Sequence, residues 1–197
     1  MHKPPASLIL ASASPQRRAI LERLGIAFEV QPAGVEELED GDPGEMAVEN
    51  ALRKARAVAK ADGPLAPALV LGVDTLVALE GRIYGKPADE GHARETLRAL
   101  SGSTHTVLSG VALIEDRQER TALAATEVVF RTLDEWSIDW YVALGEWRDR
   151  AGGYGIQGAG AALVREIRGD YENVVGLPVA TLLDLWPGLL CAAWARG

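Results

Sequence analysis

Asp74, at the end of the apolar run Ala68 to Val73, has the placement of a working carboxylate. Open α/β sheets set their ligand sites beyond the ends of such strands, where a carboxylate can hold a cation or take a proton from water. A cap or turn aspartate fits the same position. Glu36 and Glu37 supply a second acidic element, which as a charge run also reads as a solvated face. If one of them reached Asp74, the two carboxylates could hold a hard cation such as Mg2+, with phosphate oxygens completing its shell. Lys54 and Lys86 could pair with those oxygens. Lys54 stands among alanines on a helix, where surface lysines are ordinary, and Lys86 is fixed on a stiff turn by Gly85 and Pro87.

A different chemistry is written in Ser12-Ala13-Ser14-Pro15-Gln16-Arg17-Arg18. Ser14 is a good N-cap, and Pro15 at the first helical position loses only a donor that has no partner there anyway. The free N–H groups and partial positive charge of a helix start favour anions, so two serines and two arginines around it can cradle a phosphate. Further along, Gly153-Tyr154-Gly155-Ile156-Gln157-Gly158 fits the spacing of a dinucleotide fingerprint. The polar stretch before it and the strand-like run after it are the wrong context for one. Such a glycine loop brings backbone close to a ligand, and the Gln157 amide can read a base edge; a tight connection with a solvated glutamine fits equally. The sequence contains no P-loop and no G-x-S-x-G nucleophile elbow.

These residues sit in a chain of 197 with 48% apolar and 24% charged residues, the balance of a soluble globular protein. The net charge of −8 excludes a general nucleic-acid binder, while a small polyanion would need locally placed lysine and arginine. No apolar run is long enough to span a bilayer, and residues 1–7 lack an apolar core long enough for a signal peptide, which points to a cytoplasmic protein without membrane partners. Cys191 alone makes no disulfide framework and reads as a plain thiol; His2, His92 and His105 lack a metal-ligand spacing.

The positioning elements follow from periodicity and punctuation. A strand at Leu8 to Ala11 precedes a helix from Pro15 to Leu24, stopped by Gly25. A strand over Ala27 to Gln31 and an acidic loop lead to a long helix from Glu45 to Ala61, closed by Pro64 and Pro67. The buried strand Ala68 to Val73 stops at Asp74-Thr75, and a hairpin spans Leu76 to Tyr84 around Glu80-Gly81. Helix Asp89 to Leu100, strands His105 to Glu115 and Ala122 to Arg131, and helix Leu133 to Leu144 come next. The strand-like run Ala161 to Ile167 and a helix from Pro178 to just before Pro187 end the pattern. Trp136, Trp140 and Trp147 read as core in preference to an interface. Strands mixed with helices along the whole length predict an α/β fold with a mixed sheet.

Six segments in series resemble the Maf family of nucleotide pyrophosphatases. They are Leu10 to Arg18, Gly72-Val73-Asp74-Thr75, Gly85-Lys86-Pro87, Leu100-Ser101-Gly102 with His105, Ala151 to Gly158, and Gly169-Asp170-Tyr171 with Asn173 to Pro178. The resemblance covers residues 7 to 186. It implies one Maf-like α/β domain over residues 1–197, an elongated mixed sheet with flanking helices like that of inosine-triphosphate pyrophosphatases, and two lobes around a central cleft. It implies hydrolysis of a nucleoside triphosphate to monophosphate and pyrophosphate, a divalent cation (Mg2+ or Mn2+), a cytoplasmic location and, often, a homodimer. Carried over by motif, Asp74 is the proton acceptor, with Glu37, Lys54 and Lys86 as the other charged catalytic positions and Asp74 with Glu37 as metal ligands. Ser12, Ser14, Gln16, Arg17, Thr75 and Gln157 are the substrate-binding positions. Thr75 and Gln157 are similar to the dTTP/UTP branch; Gln16 stands where that branch usually has arginine, which bears on base preference. The alternatives are a pyrophosphatase for 7-methyl-GTP or another modified nucleotide, and a non-catalytic nucleotide-binding regulator of septum formation.

Overall fold

The apolar runs of the sequence pair into one mixed sheet, seven-stranded among the described residues. In the computed structural model, which describes residues 7–61 and 68–190, the strands are β1 (Ser7–Leu10), β2 (Glu29–Val30), β3 (Ala68–Leu79), β4 (Arg82–Tyr84), β5 (Thr104–Glu115), β6 (Gln118–Phe130) and β7 (Val164–Arg168). Helices alternate with them: α1 (Pro15–Arg23), α2 (Pro43–Ala61), α3 (Glu90–Leu100), α4 (Glu135–Leu144), α5 (Tyr171–Val175) and α6 (Val179–Leu185). The strand order is β2-β1-β3-β5-β6-β7, with β4 antiparallel to β3. β1 runs parallel to β2 and β3, placing Leu10 beside Val30 and Leu71, and β7 runs antiparallel to β6. The α/β class with a mixed sheet is therefore the one the sequence predicts. His2, Pro64, Pro67 and Cys191 lie outside the described residues. Among those described, no helix is long and apolar enough to cross a membrane.

The chain divides into two compact units. The first comprises Met1–Asp74, Ser109–Ala124 and Gly176–Gly197. Its core sets Ala51, Ala55 and Val58 of α2 against Ile9, Val70 and Ala112 of the strands. Ala47, Ala51 and Ala55 recur every fourth residue, so they line one face of the helix. Gly72 and Gly110 meet that face: a Cβ on Gly72 would strike the Ala51 carbonyl oxygen, and one on Gly110 the Ala47 carbonyl. Bare backbone on the strands lets the helix backbone settle directly on them. Side chains on β3 alternate faces, so Val70, Gly72 and Asp74 all point towards α2.

The second unit comprises Thr75–Leu108 and Ala125–Val175. Val77, Leu97, Phe130, Ile138, Tyr141 and Tyr154 form the heart of its core. Of the three tryptophans expected inside, only Trp147 is buried, its indole N–H donating to the Val142 carbonyl at 3.1 Å. Trp136 is 74% exposed and Trp140 37% exposed. They share a four-residue spacing with Leu144, which places all three on the solvent stripe of α4 while Ile138, Tyr141 and Val142 face inward.

Several elements differ from the sequence expectation. β3 does not stop at Asp74 but continues through it to Leu79, because the aspartate side chain is paired and the backbone ladder need not break. β2 is only two residues long, an edge strand beside the four-residue β1. Residues Ala159–Leu163 form a 3-10 turn, not a strand. Gly160 folds back so tightly there that a Cβ on it would lie 2.5 Å from the Gly155 carbonyl oxygen. The five-residue α5 was too short to show a periodicity.

Candidate active site

α2 and β3 together build a chain of charge contacts in the first unit. Lys54 lies three turns into α2, and its ammonium meets Asp74 Oδ1 at 2.6 Å and Glu37 Oε1 at 2.6 Å. The Lys54 and Asp74 side chains are only 12% and 6% exposed, whereas Glu37, on the loop before α2, is 45% exposed. The loop glutamate that reaches the site is thus Glu37, not Glu36. Asn50, one turn before Lys54, donates from Nδ2 to Asp74 Oδ2 at 3.2 Å. Its oxygen accepts the Leu38 N–H at 2.7 Å, which fastens the acidic loop to the same helix. Removing one partner of a buried pair such as Lys54–Asp74 typically costs about 3–5 kcal/mol, since the other charge is left uncompensated.

The segment from Ser12 to Arg18 is also buried on one side. Arg17 is 8% exposed and Ser12 7%. Arg17 donates from Nη1 to Ser12 Oγ at 2.8 Å and from Nε to the Gly176 carbonyl at 2.9 Å. Burial pulls its guanidinium below the ordinary value, and the charges of Asp74 and Glu37 pull it back up. Ser14 occupies the N-cap position of α1 but does not cap it: its hydroxyl donates to Gln16 Oε1 at 3.0 Å, and its own N–H donates to Ser12 Oγ at 3.2 Å. α1 therefore starts without a side-chain cap from Ser14. Ser14 and Gln16 are both half-buried.

Thr75, Lys86 and Gln157 belong to the second unit. Thr75 is half-buried and follows Asp74 directly on β3. Lys86 is exposed on a turn whose Gly85 carbonyl accepts the Gly152 N–H at 3.1 Å, and its ammonium makes no ion pair among the described residues. Pro87, next to it, is buried, and a Cβ on Gly153 would lie 3.0 Å from its ring. The lysine turn and the glycine loop therefore hold each other. Gln157 is exposed near the tip of that loop.

Of the ten residues singled out from the sequence, Glu37, Lys54 and Asp74 form one contact chain, Ser12 pairs with Arg17, and Ser14 pairs with Gln16. Asn50 was missed. Its signal was a lone carboxamide in an alanine-rich helix, four residues before the lysine. Among the described residues no group of three or more His, Cys, Asp or Glu side chains could enclose a metal ion.

Comparison with known proteins adds to this geometry. A protein of Gloeobacter violaceus named dTTP/UTP pyrophosphatase is 50% identical over 181 residues, covering 90% of this chain and 93% of its own length. One of the same name from Moorella thermoacetica is 47% identical over 195 residues, covering 97% and 99%. The solved structure of the Staphylococcus aureus Ham1 protein is similar at a TM-score of 0.45 and 16% identity, over 64% of this chain and 72% of that one. A profile described as Maf-like protein matches residues 7–187, from the first strand past α6 and so through every segment that carries the site, and the chain belongs to the Maf family.

Proposed function

We propose that this chain hydrolyses dTTP and UTP between the α- and β-phosphates, releasing the nucleoside monophosphate and pyrophosphate. The observation that carries the reading is the Glu37–Lys54–Asp74 contact chain, in which a buried carboxylate is held by an ammonium and an amide. The names of the Gloeobacter and Moorella relatives support the same activity and the same two substrates. The cytoplasm, where these nucleotides are made, is the location this implies, and a homodimer is the assembly carried over from the family resemblance.

Lys54 and Asn50 each occupy one oxygen of Asp74, and each oxygen keeps a second lone pair. With its orientation fixed, Asp74 takes a proton from the attacking water. The water oxygen forms a bond to the α-phosphorus as the bond to the bridging oxygen breaks, and pyrophosphate leaves with that electron pair. Arg17, Ser12, Ser14 and the first-turn amides of α1 bind phosphate oxygens, and Lys54 stabilises charge growing there and on the leaving group; the family resemblance assigns Lys86 to the phosphates as well. The family resemblance assigns base recognition to Thr75, Gln16 and Gln157.

The charges in the first unit explain why a cation suits this site. Asp74 and Glu37 are balanced by Lys54 and Arg17, so the cluster offers a polyanion no net attraction, and the whole chain carries −8. Two carboxylates from separate segments are a hard-oxygen donor pair of the kind Mg2+ or Mn2+ uses when phosphate and water oxygens fill the rest of its shell. Asp74 and Glu37 would hold such an ion. When bound it neutralises phosphate charge and acidifies water.

Product analysis tests the proposal. Wild-type protein with Mg2+ or Mn2+ should convert UTP and dTTP to monophosphate and pyrophosphate, and Asp74→Asn should lose that activity by about a thousandfold or more while keeping its circular dichroism. Binding of UTP without any monophosphate would leave a nucleotide-binding regulator as the reading, and faster release from 7-methyl-GTP would move the substrate to a modified purine.

A further inference from the structure

We propose that His105 and Tyr154 form a positioning pair for base recognition, locking the glycine loop in the shape that presents Gln157. The inference rests on the reading of Gln157 as a base contact. Four of the seven residues from Gly152 to Gly158 are glycine, and Gly152 and Gly153 both take positive φ, at 69° and 66°. Such a backbone has many shapes open to it. Side chains outside the loop have to select one.

The Tyr154 side chain is the loop's anchor. Its ring is buried edge-on to Phe130, with centroids 4.8 Å apart, and edge-on to His105 at 5.5 Å. Its hydroxyl meets His105 Nε2 at 2.9 Å. Beyond it, the Gly155 N–H donates to the Tyr141 hydroxyl at 3.0 Å and the Ala159 N–H to Glu146 Oε2 at 2.8 Å. Gln157 lies between these two ties, so its place is set from both sides. A ring in a purely apolar slot can slide and tilt; a directed bond to His105 fixes its depth and its rotation.

That bond has a structural penalty. His105 is 1% exposed, and its Nδ1 has no hydrogen-bond partner among the described residues. Burial drags the imidazole down to about 4, so it stays neutral at neutral pH and acts through geometry, not charge. An apolar pair of similar size would fill the slot without orphaning a buried nitrogen. What an apolar pair cannot supply is the fixed orientation of the loop, which is the role assigned here.

The test separates stability from recognition. Melting temperatures and kcat and KM for UTP and CTP are measured for Tyr154→Phe, for the double variant His105→Leu/Tyr154→Phe, and for Gln157→Ala. Tyr154→Phe should melt earlier, raise KM for UTP about tenfold, shrink the UTP-to-CTP ratio of kcat/KM by a similar factor and leave kcat within about twofold. The double variant replaces both polar partners and should recover melting temperature while KM and the base ratio stay impaired. Recovery of all three together, an unchanged base ratio in both variants, or a loss confined to kcat would each overturn the proposal. Gln157→Ala keeps the two failures apart. If it leaves the base ratio intact, the base-contact reading falls and this inference with it; if it collapses the ratio while the pair variants do not, only the positioning role is lost.

Discussion

Asn50 joins what the charged residues cannot join for themselves. Its carboxamide accepts from the Leu38 N–H at 2.7 Å, donates to the Leu38 carbonyl at 3.3 Å and donates to Asp74 Oδ2 at 3.2 Å, so one side chain ties the loop of Glu37 to the strand of Asp74. Asn50→Ala leaves a buried carboxylate oxygen and two backbone groups short of partners, which should cost about 1–3 kcal/mol in urea unfolding. Displacing Glu37 and Asp74 from their shared lysine should lower kcat for UTP by about tenfold to a hundredfold. Asn50→Asp keeps the shape but sets a second carboxylate against Asp74, and it should unfold more easily than Asn50→Ala. A wild-type kcat in Asn50→Ala would remove this residue from the site. Asp74 was legible in the sequence because a carboxylate abutting an apolar run is unusual. Asn50 was not, because an uncharged polar residue in a helix tells nothing of what faces it until the strand opposite is known.

At the scale of elements, the site depends on how closely α2 lies on β3. Gly72 has no side chain where Ala51 and Ala55 arrive; a Cβ there would come within 2.9 Å of Ala55 Cβ and closer still to the Ala51 carbonyl. Backbone cannot swing aside as a flexible side chain does, so Gly72→Ala must push the helix away. Overpacking of this kind costs about 1–3 kcal/mol. Because α2 also carries Asn50 and Lys54, the same shift should lengthen their contacts to Asp74 and depress kcat. Gly81→Ala is the control: Gly81 sits at φ 78° in the β3–β4 turn with nothing within 4 Å among the described residues. It should lose about 1 kcal/mol through backbone strain and leave kcat alone. Equal kinetics in the two variants would show that helix approach does not set the site. The hairpin was readable from Glu80-Gly81, and α2 from its alanine face. The continuation of β3 through Asp74 was hidden, since a polar residue ends an apolar run in sequence whether or not its side chain finds a partner in space.

At the scale of the molecule, three separate stretches of chain make the first unit, and Arg17 bonds across them, to Ser12 within the first stretch and to Gly176 in the third. Alternating strands and helices made the α/β class readable, but no local pattern says which stretches gather into one unit. Nucleotide binding that engages Arg17 should therefore stabilise the fold as a whole, and this separates binding from chemistry. Asp74→Asn should hold UTP with Mg2+ without consuming it, so at a hundredfold excess over Kd it gains about 2.7 kcal/mol. For a chain of 197 residues that is a rise of about 5–10 °C in Tm. Arg17→Met added to Asp74→Asn keeps most of the buried stem but removes the cation, on a chain whose overall charge of −8 repels the substrate. It should start from a lower Tm, and UTP should raise that Tm by no more than a degree or so. If Asp74→Asn shows no shift, Asp74 is needed to hold the nucleotide and its metal, not only to take the proton. If the double variant shifts as far as Asp74→Asn alone does, the arginine braces the fold and the phosphates are held by the serines and helix amides alone.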